Sequence, residues 1–206
     1  MITIWGRTNS LNVQKVLWGL EELGLAYDRI DAGLQYGVND TAAFKAMNPN
    51  GLVPVLKEDD FVLWESHAIL RYLSTRHGRG TLMPTDEQVA ARADQWMDWS
   101  GSIVWVHLRP VFQNLVRTPP DQRNRQVVAD NSVSLAKIFL ILDDHLKKQP
   151  FVAGDVFTIG DIPLALLMFR WVSLVQERPD TPALDQWFKN VSGRAGFVKH
   201  CAAPLT

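Results

Sequence analysis

The sequence predicts an α/β domain followed by an all-α domain, and three observations carry that reading. Strand-like and helix-like segments alternate through residues 2–77. A linker with Gly78, Gly80 and Pro84 follows, and beyond it no segment shows strand alternation. The chain is 47% hydrophobic and 21% charged, enough apolar content for packed cores and too little charge for disorder. The division is expected at 1–79 for the first domain and 85–206 for the second.

Ile2-Thr3-Ile4-Trp5 is β-rich and stops at Gly6, where the polar stretch Gly6-Arg7-Thr8-Asn9-Ser10 begins. Val13, Val16, Leu17, Leu20 and Leu23 then recur at helical spacing, and Gly24 falls where a left-handed C-terminal cap belongs. Residues 26–30 read as a second strand, so 2–30 form a right-handed βαβ unit with parallel strands. A short helical segment near 41–47 leads to the turn signal Asn48-Pro49-Asn50-Gly51. Residues 53–56, the turn Glu58-Asp59-Asp60 and residues 61–63 then read as a hairpin. Ile69, Leu70 and Leu73 mark a helix over 66–77 that ends at Gly78. The order β-α-β then β-β-α is the thioredoxin-like arrangement.

In the second domain Thr85-x-x-Gln88 has the form of a capping box opening a long helix to about residue 115, with a kink expected at Pro110. Pro119-Pro120 breaks it, and a second long helix is expected over 121–148. Thr158-x-x-Asp161 reads as another capping box, with Phe157 and Ile162 at the staple positions, before the apolar run 164–175. One more helix, about 183–191, and an irregular tail complete the expectation.

Bulk composition narrows function by exclusion. With 21 basic and 22 acidic residues the formal charge is -1, which offers no electrostatic case for nucleic acid. No positive segment followed by an apolar run opens the chain, and no stretch approaches the roughly 18 apolar residues of a membrane span, so neither signal peptide nor membrane helix is expected. The single Cys201 permits no internal disulfide and suits a reducing compartment, read here as cytoplasmic. The five histidines form no metal-binding spacing, so no metal is expected.

Four segments together carry a resemblance. They are Ser10-Leu11-Asn12-Val13-Gln14-Lys15-Val16, the run 48–56 (NPNGLVPVL), the run 64–73 (WESHAILRYL) and the run 151–161 (FVAGDVFTIGD). In this order and spacing the chain resembles the glutathione S-transferase family, bacterial and theta/delta-like or nu-like, over nearly its whole length. The resemblance implies the cytosolic fold of that family, glutathione as co-substrate, a small hydrophobic electrophile as second substrate, and a homodimer.

The reactive species would be the thiolate of the tripeptide. A free thiol of pKa about 8.5 is only a few per cent ionised near neutral pH. One hydrogen bond to the charged form, worth about 1.5–3 kcal/mol, lowers that pKa by one to two units. In relatives of this type the serine matching Ser10 donates that bond, at the start of a helix whose unpaired N–H groups also favour negative charge. The competing reading is that Ser10 simply caps the helix. Asn12 stands at the family's proline position, where some bacterial members use an asparagine to contact the sulfur, and Thr8 is a third candidate. Tyrosine-type and cysteine-type chemistry are excluded by inspection, since the first tyrosine is Tyr27 and the only cysteine is Cys201.

The same resemblance implies a cis peptide at Val53-Pro54, which would turn the Val53 backbone toward the cysteinyl residue of glutathione. It also implies that Glu65 and Ser66 hold the γ-glutamyl ammonium and carboxylate. Many relatives carry a basic residue just before the Val-Pro pair for the glycyl carboxylate, whereas this chain has Gly51 and Leu52, leaving Gln35, Asn39 or Lys45 as candidates. Trp105, Arg109 and Phe112, at i, i+4 and i+7, are expected to line the second-substrate site between the domains, although aromatics at helical spacing more often belong to a core. Two other functions stay open on the sequence: glutathione-dependent disulfide-bond oxidoreduction, in which the ligand's own sulfur acts, and a non-catalytic relative that binds hydrophobic ligands or proteins.

Overall fold

The computed structural model describes residues 1–206, which divide into two compact units. The first comprises Met1–Met83 and Ala195–Ala203, the second Pro84–Arg194 and Pro204–Thr206.

In the first unit β1 (Ile2–Trp5), α1 (Leu11–Glu22) and β2 (Tyr27–Ile30) form the expected βαβ unit, with β1 and β2 parallel. After α2 (Ala42–Met47), β3 (Val55–Glu58) runs antiparallel to β1 and pairs through the turn at Asp59-Asp60 with β4 (Phe61–Trp64). The sheet order is β2-β1-β3-β4, and α3 (Ser66–His77) follows. Alternation in β1 turns Ile2 and Ile4 inward, where they meet Val13, Val16, Leu17 and Leu20 of α1, Leu56 of β3, and Ile69 and Leu73 of α3. α1 and α3 approach closely at Gly19, where a Cβ would collide with the Leu70 side chain. Glycine costs helix stability there, by about 1 kcal/mol, and is the residue that permits the contact.

The expected division put all of 85–206 in the second domain. Instead α9 (Ala195–His200), which falls in the segment expected to be an irregular tail, belongs to the first unit. The physical reasons are local: Phe197 packs edge-on against Trp18 of α1, with ring centroids 5.4 Å apart, and Lys199 pairs with Glu21 at 2.7 Å. Six residues with a glycine among them make too short an apolar pattern to announce a helix.

The second unit contains α4 (Glu87–Trp99), α5 (Trp105–Phe112), α6 (Arg125–Leu146), α7 (Asp161–Leu174) and α8 (Pro182–Ser192). The cap of α4 is Asp86, whose carboxylate accepts from the N–H groups of Gln88 and Val89, rather than Thr85. Two π-helical turns, over Ser100–Val104 and Gln113–Arg117, flank α5, and Pro110 lies inside α5 itself. Asn124 caps α6 by accepting from the Val127 N–H, so the helix begins at Arg125, four residues later than the expected start.

At the head of α7 the capping motif is fully engaged. Asp161 is completely buried and accepts from the Val152 N–H at 3.1 Å, the Thr158 N–H at 2.9 Å, the Thr158 hydroxyl at 3.3 Å and the Trp187 indole at 2.9 Å. One side chain thereby joins the loop before α7 to α8. Replacing it leaves four buried donors without an acceptor, each costing about 1–3 kcal/mol. Asp161→Ala is expected to lower stability by at least about 3 kcal/mol in urea unfolding, among the larger single-site losses.

Candidate active site

A cavity of about 290 Å3 opens in the first unit, close to the lower bound of roughly 300 Å3 typical of small-ligand pockets. Three chain segments from different parts of the sequence line it: Arg7, Ser10 and Asn12 at the entry to α1, the stretch Gly51 to Pro54 before β3, and Glu65-Ser66 at the entry to α3. The loop after β2 closes the remaining side with Gly33, Leu34 and Asn39, and Asn48 joins it from the end of α2.

Ser10 occupies the capping position of α1 in extended conformation, yet its side chain accepts no capping hydrogen bond. It is 7% exposed and lines the cavity. The reading in which Ser10 serves only as a cap therefore loses its basis. Asn12, one residue into the helix, accepts at Oδ1 from Lys15 Nζ at 3.1 Å and from the Ser66 hydroxyl at 3.4 Å. Thr8 is exposed and outside the lining.

The Val53-Pro54 peptide is cis, as the resemblance implied. Val53 lies just before β3, and neither its N–H nor its C=O is spent on another backbone group. The two carbonyls preceding it are held: Asn39 Nδ2 donates to Gly51 O at 2.9 Å, and Asn48 Nδ2 to Leu52 O at 2.8 Å. Two asparagine side chains thus hold the loop that presents Val53.

Glu65 has φ +73°, a left-handed conformation that costs a residue with a Cβ about 1–3 kcal/mol and concentrates at functional sites. That backbone places Ser66, 4% exposed, at the first position of α3, where the helix presents unpaired N–H groups and no side-chain cap covers them. An acid and an N-terminal anion site therefore sit side by side on one wall.

The other sequence candidates lie apart. Gln35 is exposed on the single turn Leu34–Tyr36 and does not line the cavity, and Lys45 pairs with Asp40 at 3.7 Å on the surface. Trp105 and Phe112 are half-buried and Arg109 exposed on α5 in the second unit, with Arg117 over the Phe112 ring at 5.6 Å.

Three residues were missed. Arg7 is the one cation in the lining, and a Cβ on Gly33 would stand 3.0 Å from its Nη1; glycine, at φ +87°, leaves that room. Lys15 and His67 stand behind the wall, with Lys15 Nζ 3.0 Å from His67 Nε2. Burial, helped by the charges of Lys15 and Arg71, depresses the His67 pKa to about 3, so the imidazole is neutral. The only sequence signal for Lys15 is a lysine set within an apolar helix face.

A family model for the glutathione S-transferase N-terminal domain matches residues 9–76, and one for the C-terminal domain matches 103–195. The chain is 39% identical to glutathione S-transferase GstB of Escherichia coli K12, over the full length of both, and 31% identical to glutathione S-transferase 3 of Zea mays over 98% of this chain and 94% of that one. A crystal structure of the theta class glutathione S-transferase from Xanthomonas axonopodis pv. citri, with glutathione bound, superposes with a TM-score of 0.94 at 40% identity, covering 100% of this chain and 99% of that one. On the fold, the lining of the cavity and these matches across both units, the chain belongs to the glutathione S-transferase family.

Proposed function

We propose that this chain is a glutathione transferase that binds the tripeptide in the cavity of its first unit and holds its sulfur as a thiolate at residues 10–12. The observation that carries this reading is the Ser10 hydroxyl, which stands at a helix N-terminus, lines the cavity and caps nothing. A donor withheld from the protein is available to an anion, and the helix end adds the field of its unpaired N–H groups.

The tripeptide is assigned in three parts. Its γ-glutamyl carboxylate meets the Ser66 hydroxyl and N–H, with the ammonium on Glu65. Its cysteinyl backbone pairs in strand fashion with the N–H and C=O of Val53 next to Pro54. Its glycyl carboxylate falls to Arg7, the lining cation beside Gly33, rather than to Gln35 or Lys45. In the reaction the sulfur lone pair forms a bond to an electrophilic carbon, the leaving group departs with its electrons, and the thiol proton has already passed to water. The body of a hydrophobic electrophile is assigned to Trp105, Arg109 and Phe112, which share one face of α5. A cytoplasmic homodimer is the assembly proposed.

No cysteine stands near the cavity, since Cys201 is buried in the segment closing α9, so any chemistry at sulfur uses the ligand's own atom. Disulfide reduction by glutathione would use the same thiolate, and relative turnover of 1-chloro-2,4-dinitrobenzene and 2-hydroxyethyl disulfide separates the two reactions.

Ser10→Ala is expected to lower turnover by roughly 10- to 100-fold, the equivalent of a charge-assisted bond of about 1.5–3 kcal/mol, and to raise the pKa of the bound thiol. An unaltered thiol pKa in that variant would remove Ser10 from the role. Arg7→Met should weaken glutathione binding by a similar factor in calorimetry while changing binding of its glycyl ethyl ester little, because the ester lacks the charge that Arg7 meets. Equal losses for acid and ester would show Arg7 acting elsewhere. Light scattering should return the mass of two chains.

A further inference from the structure

We propose that Lys15 is a positioning residue for the glutathione sulfur: it fixes the Asn12 amide so that its N–H2 faces the cavity, and its charge stabilises the negative sulfur through that amide. The inference rests on the glutathione reading above and adds a charged device to a site otherwise served by neutral donors.

A lysine only 6% exposed is uncommon unless its ammonium has partners, and here two are within hydrogen-bond distance. Nζ stands 3.1 Å from Asn12 Oδ1 and 3.0 Å from His67 Nε2. An ammonium can only donate, so both partner atoms must accept. The oxygen of Asn12 therefore points at Lys15, and its Nδ2 is turned the other way. The Ser66 hydroxyl also donates to Oδ1, at 3.4 Å, but its single proton turns to the γ-glutamyl carboxylate when the tripeptide binds, so Lys15 is the donor that keeps the amide oriented in the complex. A flipped amide would set N–H2 against an ammonium, which both donors forbid.

His67 completes the arrangement by its neutrality. Its Nε2 accepts from Lys15, so its proton resides on Nδ1 and it does not compete as a second cation for Asn12. The depressed pKa, caused first by burial and then by Lys15 and Arg71, keeps that state throughout the pH range in which a thiol ionises.

Asn12 thus offers the cavity a donor whose own acceptor is engaged by a cation. A carbonyl polarised in this way has more positive N–H hydrogens, and the ammonium behind it adds its field in a medium less polar than water. The charged groups set around the sulfur position are then Lys15 behind Asn12, Arg7 in the lining, Arg71 beside His67, and Glu65 next to Ser66. Because Lys15 reaches the sulfur only through Asn12, it leaves the γ-glutamyl carboxylate to Ser66.

The test measures two quantities on the full chain: the pKa of bound glutathione, from the ultraviolet absorbance of its thiolate, and the affinity for S-methylglutathione, which has no thiol to ionise. Lys15→Gln keeps a donor to Asn12 and removes the charge. It should raise the bound thiol pKa by about one unit, the size of a unit charge acting over several ångströms in protein, with S-methylglutathione affinity nearly unchanged. Lys15→Arg should restore most of the shift. Asn12→Asp, whose carboxylate would take the Lys15 charge for itself, should raise the thiol pKa by at least as much as Lys15→Gln, and tests the relay without emptying the lysine site. An unshifted pKa in either Lys15→Gln or Asn12→Asp overturns the proposal, as does an equal loss of S-methylglutathione binding, which would mark Lys15 as merely structural. Failure of the unaltered chain to bind S-methylglutathione would instead remove the glutathione reading itself, and this inference with it.

Discussion

The cavity exists because α1 packs against α3 with both helices beginning at the same end of the sheet, after Trp5 of β1 and Trp64 of β4. Gly19 lets the two backbones approach at Leu70, and the shared core of Val16, Leu20, Ile69 and Leu73 holds them. Residues 10–15 and 65–67, more than fifty positions apart, are thereby brought within hydrogen-bond distance, as the Ser66–Asn12 and Lys15–His67 contacts record. Every polar group assigned a role in the tripeptide site stands on one of these two helix entries or on a loop pinned between them. Apolar packing makes the site polar, by deciding which helix ends face each other.

Two places, one in each unit, treat their buried hydrogen-bonding groups in opposite ways. In the second, Asp161 gathers four donors and spends its acceptors on the loop before α7 and on the indole of α8. That is a structural solution, closed to any ligand. In the first, the Ser10 side chain caps nothing, the Val53 backbone pairs with no strand, and the first turn of α3 has no side-chain cap. Groups that a purely structural sequence would satisfy internally are kept on the walls of one cavity, which is the physical signature of a binding site. Glu65 extends the contrast, holding a costly left-handed backbone at the spot where an ammonium would be met.

Charge is arranged against the bulk value. The chain as a whole carries a formal charge of -1, while the cavity brings Arg7 to its lining and Lys15 behind Asn12, with Glu65 as the one acid in the lining. A ligand with two carboxylates, one ammonium and a nascent thiolate is complementary to that distribution. Gly51 and Leu52, whose carbonyls are tied to the neutral Asn39 and Asn48, bring no charge to the lining, and its one cation is Arg7, between β1 and α1.

The sequence by itself determined the βαβ-ββα order and the apolar helix begun by the Thr158-x-x-Asp161 motif, because periodicity and capping residues act over a few positions and are written locally. It also determined which chemistry was excluded, since a chain whose only cysteine is Cys201 must borrow its sulfur. Asp86 displaced Thr85 as a cap by one position, and α9 went unseen because Phe197 and Lys199 find their reasons in Trp18 and Glu21, far away in the chain. Only the tertiary structure decided that Arg7 lines the cavity while Gln35 does not, and that Lys15 stands behind Asn12. Those facts depend on the loop that Gly33 permits and on the closeness of α1 and α3, and contacts between distant segments leave no period in a sequence to be read.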